Sequence, residues 1–411
     1  HSGDAVKAGW EQKSLTELAS FSNGLWKGKK GPLTPAIVLR STNFRAHGQV
    51  SYENVAELEV EEKQLANRQL HPLDIVLERS GGGPNQPVGR VILFDRTDGV
   101  YSFSNFTSAI RVTDQSRVDP RYLHQVLNWW HASGVTEKLQ SRSTGIRNLD
   151  FKSYKALTVP LPPLEEQQRI VAILDDAFEG LARAKANAEA NLASAKELFA
   201  QRSALYLFDD GREPEHRRLG SIVNRLTNGY VGPTRDIYLP EGVPYLLARH
   251  VRDNVLTFDG KTYVSDEFNE KNRKSKLARG DVLLVQSGHI GHCAEVPEEH
   301  EGHNCHAMIV LSPKSEILTG AYLSEVFNTP VFQEKFQSIR TGSTVPHLTC
   351  KMVKELMIPV CPLERQGHAV EAIRHARLEL AQLTKNYKDA IVSLDQLRQS
   401  LLAKGFAGDL T

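Results

Sequence analysis

The chain has 411 residues, enough for two to four domains with cores of their own, and its 40% apolar and 24% charged content is that of a soluble globular protein. Fifty basic against 49 acidic side chains leave a net charge of +1, which excludes bulk attraction as the way this chain would hold nucleic acid. No apolar run reaches the length of a bilayer span, no signal-peptide core is expected at the N-terminus, and His1-Ser2-Gly3 is set aside from fold reasoning.

Residues 10–160 read as a mixed α/β domain. Short β-rich runs such as Ile75–Leu77, Val91–Phe94 and Ala109–Val112 are separated by breakers, notably Ser80-Gly-Gly-Gly-Pro-Asn-Gln-Pro87, and a helical stretch follows around Arg121–Leu139. Residues 161–208 read as one long helix, with Pro163 suited to a first helical position and Glu165 and Glu166 favoured in its first turn. Its apolar stripe steps alternately by four and three and includes Ile170, Leu174, Leu181, Leu198 and Leu205. Residues 209–360 repeat the grammar of the first domain. Residues 361–411 repeat the helix, with Ile373, Leu380, Leu383, Tyr387, Leu394, Leu397 and Leu401 on its stripe. A sustained 3.5-residue period is the seam of a coiled coil, so the two helices are expected to pair. The first helix runs roughly 60 Å at about 1.5 Å per residue before the second domain starts, so only antiparallel pairing spares that domain a stretch back over the whole length. The expected architecture is two globular domains separated by two long antiparallel helices, with pseudo-two-fold internal symmetry.

The duplication is explicit. Leu149, Leu157, Pro160, Pro163, Leu164, Glu165, Gln167 and Val171 recur 199 residues later as Leu348, Leu356, Pro359, Pro362, Leu363, Glu364, Gln366 and Val370. Upstream, Ser22-Asn-Gly24 echoes Thr227-Asn-Gly229, Asp74-Ile-Val-Leu77 echoes Asp281-Val-Leu-Leu284, and Tyr122-Leu123 echoes Tyr322-Leu323. The offset drifts between 199 and 207, as it does when loops vary on a retained scaffold. A period this long marks a duplicated module rather than a solenoid.

The proline-rich run into a long helix, PLPPLEEQQRIVAIL at 160–174 and PVCPLERQGHAVEAI at 359–373, resembles the conserved regions of Type I restriction–modification specificity subunits. Ser143-Thr-Gly-Ile-Arg-Asn-Leu149, its counterpart Gly342-Ser-Thr-Val-Pro-His-Leu348, and Leu402–Leu410 fit the same family. The resemblance implies two target-recognition domains, each reading one half of a bipartite double-stranded DNA sequence across an unspecified spacer. It also implies that the helices set that spacer and dock two modification subunits, which bind S-adenosylmethionine and methylate adenine. A restriction subunit using ATP and magnesium would join them, unless the system only methylates. No cofactor is implied for this chain itself, and a cytoplasmic location is expected from its cysteine usage. The second copy departs from the first where Glu166 becomes Arg365, Gln168 becomes Gly367 and Arg147 becomes Pro346.

A subunit that only recognises needs no catalytic motif, and none is found: there is no Asn/Asp-Pro-Pro-aromatic tetrapeptide of the adenine methyltransferase kind. Gly24-Leu-Trp-Lys-Gly-Lys-Lys30 is one residue short of a phosphate-loop glycine spacing and no Ser/Thr follows its lysine. His289, His292, Cys293, His300, His303, Cys305 and His306 are dense, but no CxxC or HxxxH spacing makes them a zinc site, and no metal is expected. All four cysteines lie in the second half, which argues for reduced thiols rather than a disulfide framework.

Local basic and amide groups are the candidates for DNA contact. In the first domain they are Lys27, Lys29, Lys30, Arg40, Asn43 and Arg45 in a Gly/Pro-bounded region, Arg79 and Arg90 flanking the glycine loop, and Arg142 and Arg147 before the proline-rich element. In the second they are Lys271, Arg273, Lys274 and Lys276 in a stretch without an acid, with Arg249, Arg252, Gln286, Ser287, His289 and Arg340. Lys and Arg suit phosphates, whereas Arg, Asn, Gln and Ser also suit base edges. Two other classes stay open: an enzyme with duplicated binding arms, which the missing motifs oppose, and a coiled-coil scaffold binding only proteins.

Overall fold

In a computed structural model of the chain the described residues are 7, 9–26, 31–83, 86–141, 146–208, 214–252, 254–341 and 346–410. They form two compact units, residues 1–188 with 388–411 and residues 189–387. Each unit takes about half of each long helix, Leu164–Phe208 and Leu363–Ala407, both 45 residues.

The first unit is built on a four-stranded antiparallel sheet of β1 (Ala19–Asn23), β2 (Ile75–Glu78), β3 (Val91–Leu93) and β4 (Thr107–Val112), in the order β1-β4-β2-β3. Strand side chains alternate between faces, and both faces of this sheet are covered. Ile75 and Leu77 enter the core under the helices with Tyr122, Trp130 and Leu174, while Val76 joins an aromatic cluster with Phe94, Tyr101 and Phe103. A second sheet pairs Leu33–Leu39 antiparallel with Ala56–Glu61 and parallel with Tyr101–Phe103. The expected helix is present as Pro120–Ala132, capped by Asp119, and a left-handed Gly134 (φ 78°) ends it before the short turn Val135–Lys138.

The second unit repeats this plan. Its sheet of β5 (Val223–Asn228), β6 (Val282–Val285), β7 (Cys293–Glu295) and β8 (Met308–Pro313) has the order β5-β8-β6-β7. Val282 and Leu284 face the core with Tyr322 and Ile373, and Leu283 and Val285 face the opposite cluster. Val243–Leu246 pairs antiparallel with Tyr263–Val264 and parallel with Asn304–Cys305, as in the first unit.

The repeated glutamine in the proline-rich element has a structural task. Gln167 is fully buried; its amide accepts from the Asp119 backbone N–H (2.9 Å) and donates to the carbonyls of Arg117 (2.9 Å) and Pro162 (2.8 Å). Gln366 does the same with the Thr319 N–H (2.9 Å) and the carbonyls of Ile317 and Cys361 (2.8 Å each). Each ties the start of a long helix to the start of its unit's core helix.

A buried ion pair is kept by exchange of partners. Asp74 and Asp281 are repeat equivalents, each 2% exposed. Asp74 receives the Arg111 guanidinium from β4 at 2.7 and 2.6 Å, and Ser20 lies opposite Arg111 on β1. In the second unit the two residue types trade strands: Arg225 on β5 lies opposite Ser312 on β8, and both bond Asp281. Burying a carboxylate requires a partner charge, and the pleat lets either strand supply it.

Within each unit the long helices pack antiparallel. In the first, a Cβ at Gly405 would lie 3.5 Å from Ile170 and 3.7 Å from Leu174, and further along Lys185 meets Asp395 at 3.0 Å. In the second, the Arg377 guanidinium stands 5.8 Å over the Phe199 ring, and Leu207 shares a core with Ala369, Val370 and Ile373.

The expected seam needs correction in register. Ile170, Leu174 and Ile373 are fully buried, and Leu181, Leu380, Tyr387, Leu394 and Leu401 are partly buried. Leu198 (55% exposed), Leu205 (55%), Leu383 (42%) and Leu397 (48%) instead face solvent. Inward positions between these anchors move one residue on, to Phe178, Lys185 and Phe199 in the first helix and Thr384, Ile391 and Arg398 in the second. From Leu174 to Leu207 nine steps cover 33 residues, about 3.7 residues per step, close to the 3.6 of a straight helix. A strict 3.5 pattern drifts about 20° per heptad against that geometry. Each helix also serves two neighbours, its partner helix and its own domain, so the buried face is wider than a two-position seam.

Candidate nucleic-acid interface

In the first unit the sequence-predicted cations divide into committed and exposed groups. Arg90, 18% exposed, forks onto Glu78 with two 2.8 Å bonds and donates to the carbonyls of Ser41 (3.1 Å) and Phe44 (3.3 Å). Asn43 is 2% exposed, its oxygen accepting from the Arg40 N–H at 3.0 Å and its nitrogen donating to the Ser51 carbonyl at 3.2 Å. These two hold the loop in shape, and their side chains are not presented to a ligand; for them the candidate list is corrected. An asparagine that bonds the backbone of its own turn is a common loop device, and sequence alone does not separate it from a base reader.

Arg79 is half-buried, its guanidinium 4.8 Å over the Phe151 ring, and burial lowers its pKa from the ordinary value. Arg147 pairs with Glu137 at 3.2 Å. Arg40 and Arg45 are exposed, and among the described residues their side chains donate to backbone carbonyls, Arg40 to that of Asn54 and Arg45 to those of Thr42 and Phe44. Lys27, Lys29, Lys30 and Arg142 lie outside the described residues.

The basic stretch of the second unit lies on the short helix Asp266–Lys271 and the turn after it. Ser265 caps that helix by accepting from the Phe268 N–H at 3.1 Å. Lys276 is paired with Glu270, and Arg279 with Glu298 at 2.9 Å. Lys271, Arg273 and Lys274 are exposed and make no ion pair among the described residues. Arg249 is held by Asp259 at 3.0 Å, which also meets His250 at 3.0 Å and whose acidity is raised by both. Arg252 and Arg340 are exposed at an edge strand and a helix end. Gln286 and Ser287 follow β6; the Gln286 carbonyl accepts from the Leu348 N–H at 2.9 Å, and Ser287 bridges His347. His289 is exposed and stacks on His292 at 5.4 Å.

Cys293 and Cys305 are fully buried, and burial pushes the Cys305 thiol up to about 12. The His300 and His303 Nδ1 atoms approach to 3.3 Å, and among the described residues no group of three or more His, Cys, Asp or Glu side chains is arranged to hold a metal ion. Also among the described residues, no helix is long and apolar enough to cross a membrane.

The geometry is that of two like scaffolds carrying unlike exposed cations, and comparison with known proteins finds the same duplication. The sequence matches the family described as Type I restriction modification DNA specificity domain twice, over residues 7–191 and 212–391. It is 24% identical over 294 residues to the Type I restriction enzyme EcoBI specificity subunit of Escherichia coli, covering 66% of this chain and 62% of that one. It is likewise 24% identical over 307 residues to the EcoKI specificity subunit of Escherichia coli strain K12, covering 70% and 65%. The chain thus spans somewhat less than two-thirds of the length of these relatives. A chain solved in a study of complex assembly and conformational transition of the type I R-M system superposes with a TM-score of 0.78 at 20% identity, over 99% of this chain and 100% of that one. The HsdS subunit from Thermoanaerobacter tengcongensis gives 0.59 at 18% identity, over 100% and 99%. These two establish likeness of fold. With both halves of the sequence matched, the chain belongs to the family of Type I restriction modification DNA specificity domains.

Proposed function

We propose that this chain is a DNA sequence-specificity subunit of a Type I restriction–modification complex, in which each unit reads one half of a bipartite target. The observation that carries the reading is the duplicated scaffold: the same sheet order, the same buried Gln and the same Asp occur twice, while the exposed loop residues differ. Two readers of unlike specificity need a common frame and different surfaces. Phosphates set register through exposed cations such as Lys271, Arg273 and Lys274, and base edges are read by neighbouring loops. The recognition domains correspond to residues 10–160 and 209–360, and the helices between and after them dock modification subunits and set the spacer. The chain itself is non-catalytic. S-adenosylmethionine belongs to the modification partner, ATP and magnesium to a restriction partner where one joins, and the complex works in the cytoplasm. A near-neutral charge makes isolated binding weak, with the partners closing around the duplex.

The test is genome-wide detection of methyladenine in a host lacking adenine methylation, expressing this chain with its modification subunit. The expected result is one bipartite motif with two specified parts and an unspecified spacer, absent when the chain is omitted. Methylation that is unchanged without the chain would overturn the proposal.

A further inference from the structure

Both units hold a large apolar side chain in solvent at the same place in the repeat. Trp26 and Val231 each follow the Asn-Gly that ends the first strand of the four-stranded sheet, and each is 65% exposed. Single exposed apolar residues are ordinary on protein surfaces. Two at equivalent positions of a duplicated scaffold, each on a rigid support, are not explained that way.

The supports match bond for bond. In the first unit the Gly24 N–H donates to the Thr107 carbonyl (3.3 Å) and the Leu25 N–H to the Phe103 carbonyl (2.9 Å). In the second the Gly229 N–H donates to the Met308 carbonyl (2.8 Å) and the Tyr230 N–H to the Cys305 carbonyl (2.9 Å). The glycines are required by close approach: a Cβ would lie 1.9 Å from the Ser104 carbonyl oxygen at Gly24 and 2.5 Å from that of Cys305 at Gly229. Each exit then leans on the equivalent short helix. The Trp26 N–H donates to Gln64 at 3.1 Å, and the Tyr230 ring stands edge-on to Phe268 at 5.0 Å. Phe268 belongs to the helix that ends at the exposed Lys271 and leads into Arg273 and Lys274. In the second unit the residue before Val231 thus packs on the helix whose end carries these exposed cations.

We infer that Trp26 and Val231 are specificity-determining residues that contact thymine methyl groups in the major groove, Trp26 in the half-site read by the first unit and Val231 in the other. The thymine 5-methyl is the apolar feature of a base-pair edge. The change from indole to isopropyl on an unchanged frame gives the two units different reading surfaces. This rests on the proposed reading of bipartite DNA.

The test uses the full chain assembled with its modification subunits, and duplexes carrying the mapped target with deoxyuridine replacing thymidine one position at a time. Removing a contacted methyl weakens binding by about fourfold, the effect of losing one buried methyl group. Trp26→Ala abolishes that discrimination in one half-site only, and Val231→Ala in the other half-site only; both positions are exposed, so folding is not at stake. Discrimination that survives both substitutions, or wild-type binding indifferent to every thymine methyl, overturns the inference. So does loss of subunit assembly with thymine discrimination intact, which would make this a protein interface. A scrambled half-site separates the two levels: if scrambling still abolishes wild-type binding, the bipartite reading stands and only the methyl contact fails.

Discussion

The exchange of Arg and Ser between strands makes a reciprocal experiment possible. Arg111→Ser removes both bonds to the Asp74 carboxylate, which is 2% exposed. A buried pair broken on one side costs about 3–5 kcal/mol. The Arg111 side chain is itself 47% exposed, so solvent screening reduces the expected loss to about 2 kcal/mol. Adding Ser20→Arg supplies the guanidinium from β1, as Arg225 does for Asp281 from β5, and should return stability to within about 0.5 kcal/mol of the starting protein. The assay is hydrogen exchange by mass spectrometry on the full chain, following peptides that cover β2 and β4, because global unfolding of two units is not a single transition. Arg111→Ser should accelerate exchange there by roughly 30-fold, and the double substitution should restore protection. An unaffected single variant, or a double variant whose losses simply add, would refute the claim that the two strands are interchangeable donors.

Three further outcomes follow from the same structure. Lys271→Ala, Arg273→Ala and Lys274→Ala together should flatten the salt dependence of DNA binding by a slope of about 2.7, at about 0.9 per phosphate contact, whereas Lys276→Ala with Arg279→Ala, both already ion-paired, should change it much less; equal effects would remove the distinction. Burial pushes the His124 imidazole down to about 4, so below the ordinary value near ~6.5 the unfolded chain takes up a proton that the folded one refuses. That contribution is intact above pH 6.5 and is lost as pH falls towards 4, by about 3 kcal/mol, and His124→Gln should abolish this part of the pH dependence of exchange in Pro120–Ala132; identical profiles would contradict it. Deleting seven residues from each long helix shortens it by about 10 Å and should shorten the unspecified spacer by about three base pairs with both half-sites unchanged; altered half-site sequences at constant spacer would count against the helices as the spacing element.

The duplication was legible because buried positions repeat their residue types, the mixed α/β class from its short β-rich runs and breakers, and the antiparallel pairing inside each unit from the period and length of the first long helix. Gln167 and Gln366, Asp74 and Asp281, and Tyr122 and Tyr322 recur because each fills a slot that few side chains satisfy. The Arg–Ser exchange was not legible: residue-by-residue alignment sets Ser20 against Arg225 and Arg111 against Ser312, so a retained interaction looks like two mismatches. A third of the named helix stripe, four of twelve residues, was misplaced because leucine alone marks Leu198 and Leu383 as inward, whereas the helix turn carries Phe199 and Thr384 there. At the interface, composition finds cations but not their partners. Arg90 and Lys274 look alike in sequence, and only the fold shows that the first is held by Glu78 while the second is exposed.

The central claim is that each repeated unit independently reads one half of the target. Its most direct test exchanges residues 10–160 for the corresponding segment of another specificity subunit of known target and maps methyladenine in cells carrying the chimera with its modification subunit. The account predicts that one half of the motif changes to that of the donor while the other half stays as it was. A motif changed in both halves, or in neither, would contradict it.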